Sequence, residues 1–99
     1  MRAIRETAKK TLYALDTFFP TLFKWRVVFK KLDEGTQGMV VFDTEKLKAV
    51  VYLSETLTAD SVVEVCCHEW AHLLAPTEAI PHGPLWGAAY GILYGALLP

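Results

Sequence analysis

At 99 residues the chain has room for one hydrophobic core and not two. With 53% of its residues apolar or aromatic and 21% charged, it lies far from the composition of a disordered segment. The formal net charge is −1, but residues 1–31 hold eight Lys or Arg against two acids, and the remainder holds two bases against nine acids. A solvated helix face and an exposed strand face account for the basic third, with attraction to phosphate or to an anionic surface as the lesser expectation.

Cys66 and Cys67 are adjacent, which rules out a disulfide staple between distant segments and points to a reducing, cytoplasmic setting. Lys9, Lys10 and Asp16 interrupt the apolar pattern near the N-terminus, so no signal peptide is read there. Residues 84–99 carry no charge, yet they fall short of the roughly 20 apolar residues a bilayer demands and are broken by glycines; a buried helix is expected and no membrane span.

The first element is a helix over 1–19, because Ile4, Ala8, Leu12, Leu15 and Phe19 recur at three- and four-residue steps and Pro20 closes it. Residues 22–32 alternate, with Phe23, Trp25, Val27 and Phe29 on one side and Lys24, Arg26 and Lys30 on the other, the pattern of a half-buried strand. Turn chemistry at 33–38 leads to a strand over 39–42, and a second turn at 43–46 leads to a third strand over 48–53. Short connections favour antiparallel neighbours, so a three-stranded meander is expected. Ser61 with Glu64 forms a candidate capping box, Thr58 being the alternative cap, for a helix reaching about residue 75. A proline-bounded loop over 76–81 follows, and Pro84 stands near the start of a last helix running to about residue 98.

The chemistry is carried by His68-Glu69-Trp70-Ala71-His72, an H-E-x-x-H pattern inside the long helix. Residues four apart share a helix face, so both imidazoles can reach one ion, and Glu69, rotated by about 100° from His68, can stand beside the ion's open position as general base. A catalytic zinc generally takes three protein ligands. After the motif the remaining candidates are Glu78 and His82; Glu78 falls too early in the turn, whereas a ten-residue step lets His82 return to the ion. Cys66 and Cys67 are out of helical register with both histidines and read as small buried hydrophobes. Trp86 and Tyr90 follow His82 at four-residue steps, Trp86 as a core residue and Tyr90 as the candidate transition-state stabiliser, with Tyr94 and Tyr52 as alternatives. The stripe Gly87, Gly91 and Gly95 is expected to let the last helix lie close against its neighbour.

These residues resemble the SprT-like zinc peptidases, the family that includes the Spartan catalytic domain. Residues 52–57 (Tyr-Leu-Ser-Glu-Thr-Leu) are similar to the family's apolar-Leu-Ser-Glu-x-Leu stretch, and His82-Gly83-Pro84-Leu85-Trp86 is similar to its His-Gly-Pro-x-aromatic block. The resemblance spans roughly residues 38–87. It implies an α+β, zincin-like domain over 1–99, His68, His72 and His82 on Zn²⁺, Glu69 as base, and a protein or peptide as substrate. The rival expectation is a zinc-stabilised, non-catalytic binding module that meets nucleic acid through Lys24, Arg26, Lys30 and the basic first helix.

Overall fold

The computed structural model describes residues 2–76 and 82–97. Three helices and three strands follow in the order α1 (Arg2–Phe18), β1 (Lys24–Lys30), β2 (Gly38–Asp43), β3 (Lys48–Ser54), α2 (Val62–Leu74) and α3 (Pro84–Leu97). The element types and approximate bounds are those expected from periodicity. The loop expected over 76–81, with Glu78, lies outside the described residues beyond Pro76.

The sheet corrects the expected meander. Its order is β1-β3-β2, with β3 parallel to β1 and antiparallel to β2. The tight turn at 44–47 does make β2 and β3 a hairpin, with Asp43 paired to Lys48. The link at 31–37 is longer, and it carries the chain across the end of β3, so that β2 forms on the far edge. Backbone bonds pin that crossing: the Ser54 amide donates to the Gln37 carbonyl at 2.9 Å and the Glu55 amide to the Lys30 carbonyl at 3.1 Å.

Strand alternation sorts the side chains onto two faces. Ala49, Val51 and Leu53 of β3 are buried on the inner face, joined by Trp25, Val27 and Phe29 of β1 and by Val40 and Phe42 of β2. Helix α1 brings Ala8, Leu12 and Leu15 to that core, and α2 brings Val62, Cys66, Trp70 and Leu73. Trp70, at 0% exposure the largest fully buried side chain, meets Trp25 edge-on at 5.4 Å and donates from Nε1 to the Phe19 carbonyl at 2.9 Å. That bond ties α2 to the end of α1 and helps set its rotation, hence the direction in which His68 and His72 project.

The start of α2 also differs from expectation. Ser61 has α-helical backbone angles and makes no side-chain cap. Its hydroxyl instead meets the Thr58 hydroxyl at 3.0 Å, while the Thr58 carbonyl accepts from the amides of Ser61 and Val62. Thr58 therefore anchors the turn through its carbonyl, no capping box forms, and Glu64 is released for another contact.

Helix α3 packs on α2 but buries only Leu93 fully. Its glycines do not serve the close packing expected of them: a Cβ built on Gly87, Gly91 or Gly95 would meet nothing within 4 Å. Among the described residues no helix is long and apolar enough to cross a membrane.

Candidate metal centre

Each histidine reaches the centre for a local reason. His68 and His72 lie one turn apart on α2, and their rings stand 5.4 Å apart. His82 sits just before α3 with φ of +58°, a left-handed conformation that histidine tolerates better than most side chains. The Gly83 carbonyl then accepts the first helical bond, from the Gly87 amide at 2.9 Å, and Pro84 opens the helix. This sharp reversal turns the His82 ring back over α2, with centroids 4.7 Å from His68 and 5.0 Å from His72.

One ligand nitrogen from each of the three can be chosen so that all lie within 4.8 Å of one another. The Nε2 atoms of His68 and His82 are 3.0 Å apart, close to the separation of about 3.3 Å between two nitrogens on a tetrahedral zinc. The three residues are therefore near enough to hold a metal ion. The protonation of His68 and His72 suits that role, since only neutral imidazole binds a metal. Burial, then the neighbouring His82, lowers the pKa of His68 against an opposing pull from Glu64. Burial, with His68 and His82, pushes His72 down to about 4. Three nitrogen donors with no carboxylate among them fit zinc or a similar borderline cation better than calcium or magnesium.

Glu69 lies beside this cluster and is 4% exposed. Its Oε2 is 4.0 Å from His68 Nε2, and burial pushes its carboxyl up to about 7. The carboxyl rests against Gly38, the first residue of β2, where a Cβ would come within 2.9 Å of Glu69 Cγ and Oε2. Residue 38 thus has to be small for Glu69 to occupy its place. Sequence reasoning passed over this residue, and the available signal was a glycine at the very start of a strand.

Trp86 does more than the core packing expected of it. Its ring stands 4.6 Å from His82, 4.9 Å from His68 and 5.7 Å from His72, and its Nε1 donates to the His68 carbonyl at 3.2 Å. Tyr90 stacks on Trp86 at 4.9 Å with planes 9° apart, and its hydroxyl donates to Glu64 Oε1 at 3.3 Å. Burial, then Glu64, raises that phenol to about 12, so it stays protonated. Tyr90 is thus next to the cluster, with its hydroxyl engaged by Glu64 and its ring 5.9 Å from that of His68. Tyr94 contacts only the ring of Tyr90 among the aromatic neighbours, and Tyr52 lies across the sheet under Lys30.

Cys66 and Cys67 are both buried free thiols. Burial pushes them up to about 12 and about 11, which keeps them protonated and outside the donor set. The basic residues of β1 lie elsewhere: Lys24, Arg26 and Lys30 are exposed on the sheet face turned away from the helices, in line with Lys48 of β3.

A cleft of about 400 Å³ opens beside His68 and Glu69, with residues 35–38 on one side and Ser61, Glu64, Val65, His68 and Glu69 on the other. Along one wall it follows the start of β2, a strand on the edge of the sheet. No family model matches the chain, and no curated protein or solved structure matches it either.

Proposed function

We propose that the protein is a zinc-dependent metallopeptidase of the SprT-like kind, acting on protein or peptide substrates. The observation that carries this reading is the convergence of three imidazoles with a buried, proton-accepting carboxyl at the head of an open cleft. A zinc ion held there supplies Lewis acidity, polarising a peptide carbonyl and making a water acidic near neutral pH.

The chain's own residues do the rest. His68, His72 and His82 would hold that ion, and His68 also lines the cleft. Glu69, with a carboxyl that titrates near neutrality, takes a proton at Oε2 from the attacking water and delivers it to the leaving amine. Gly38 and the packing of α2 hold that oxygen where it is needed. The open edge of β2 can add an extended peptide through main-chain hydrogen bonds, which are indifferent to sequence. The reduced state of the two vicinal thiols suits a cytoplasmic setting.

The test is Glu69→Gln in the zinc-loaded protein assayed against an unfolded protein substrate. Turnover should be abolished with zinc retained; a variant that still hydrolyses peptide bonds contradicts the assignment. The exposed basic row Lys24, Arg26 and Lys30 favours the rival reading of a zinc-stabilised nucleic-acid module. That reading predicts steeply salt-dependent binding of nucleic acid by a protein without peptidase activity.

A further inference from the structure

The cleft beside the histidines has an electrostatic asymmetry that catalysis does not require. Along the wall leading away from Glu69, its polar side chains are Thr36, Gln37, Ser61 and Glu64, and no Lys or Arg lines it. Glu64 is exposed, and among the described residues it makes no ion pair. Yet it is aimed: Oε1 accepts from Tyr90 at 3.3 Å, and the tyrosine ring is braced by its stack on Trp86. Had Ser61 capped α2, Glu64 would have been drawn back to the helix start; the turn built on Thr58 leaves it facing the cleft instead.

Glu64 lies one helical turn before His68, about 6 Å along the axis. An extended peptide advances about 3.3 Å per residue, so a group meeting Glu64 sits within about two residues of one held at the histidines. We propose that Glu64 is a specificity-determining carboxylate that selects peptides carrying a cationic group within about two residues of the cleaved bond. That group is a Lys or Arg side chain or a free terminal amine. This inference rests on the peptidase reading for the meaning of the cleaved bond. The ion pair itself is made in binding and needs no turnover.

The experiment uses the full-length, zinc-loaded Glu69→Gln protein and fluorescein-labelled peptides identical but for Lys, Gln or Glu at each successive position, each with a free or acetylated N-terminus. At low salt the best-placed cationic peptide should bind up to about fivefold more tightly than its Gln or acetylated counterpart, the upper end for an exposed ion pair, and salt should erode it. Adding Glu64→Gln, which keeps an acceptor for Tyr90 and removes the charge, should abolish the contrast. Adding Glu64→Lys should invert it in favour of the Glu peptide. A preference for Lys over Gln that persists under acetylation assigns the cation to a side chain, and a preference for the free over the acetylated N-terminus, whatever the side chain, assigns it to the terminal amine. Neither preference in the parent, or a preference unchanged after Glu64→Gln in a variant that still holds zinc, overturns the proposal. Charge-selective binding by a protein whose Glu69 form hydrolyses nothing keeps this inference and removes the peptidase reading. Hydrolysis with no charge preference does the reverse.

Discussion

The Glu69 carboxyl lies against the bare α-carbon of Gly38, so closely that a methyl group there would come within 2.9 Å of Oε2. Glu69 on α2 and the first residue of the edge strand are thereby mechanically coupled. Gly38→Ala should displace the carboxylate while leaving the three imidazoles alone. We expect full zinc content and a loss of at least about tenfold in hydrolysis rate, since small misplacements of catalytic groups are costly. Measured metal content beside the rate decides it, and a Gly38→Ala protein with an unchanged rate contradicts the coupling.

The raised pKa of Glu69 has a consequence for stability. Burial lifts it from 4.5 to about 7, so between those values the folded protein holds a proton that the unfolded chain releases. In the metal-free protein, the Glu69 contribution to stability is therefore greatest below about pH 4.5 and is lost as pH rises through 7, whereas the depressed pKa of His72 works in the opposite sense as pH falls from 6.5 towards 4. Glu69→Gln removes that penalty. The metal-free variant should be more stable than its parent at pH 8, by up to about 3 kcal/mol, with the advantage gone at pH 4. Urea melts at the two pH values check this, and a variant destabilised at pH 8 contradicts it.

The helices, the strands and the histidine set were legible in the sequence because each rests on a local period: three- and four-residue steps in α1, alternation in β1, and the four-residue spacing of His68 and His72. Strand order was not, because pairing is a long-range choice. Hindsight supplies a signal, since β1 carries Lys24, Arg26 and Lys30, as edge strands do, whereas β3 reads Ala-Val-Val-Tyr-Leu between its ends and fills the centre. The Glu69–Gly38 contact and the Tyr90–Glu64 bond join segments 31 and 26 residues apart, and nothing local announces either. The glycine stripe misled for a related reason: its spacing is visible, but which way it faces depends on where Leu93 finds the core.

Trp70 links the end of α1 to the helix carrying His68 and His72. Trp70→Ala should cost about 3–5 kcal/mol, much of the total expected for a small domain. Trp70→Phe should cost less but leave the Phe19 carbonyl without its donor, about 1–3 kcal/mol. Equilibrium unfolding in urea measures both, and a mild Trp70→Ala would show that α2 is oriented by something else.

Gly91 lies within α3 with open space where a Cβ would go. Gly91→Ala should therefore stabilise the protein by about 0.5–1 kcal/mol through the lower entropy of the unfolded chain. Thermal melting is sufficient to read this. Destabilisation would reveal a close partner for that face of the helix.

The convergence of His82 with the two histidines of α2 underlies all the functional proposals, and it is tested most directly by the metal content of the purified protein beside that of His82→Ala. We expect about one zinc per chain in the parent and in Glu69→Gln, and a large loss in His82→Ala with the fold retained by circular dichroism. A parent that takes up no metal, or a His82→Ala variant that binds zinc as tightly as its parent, contradicts it.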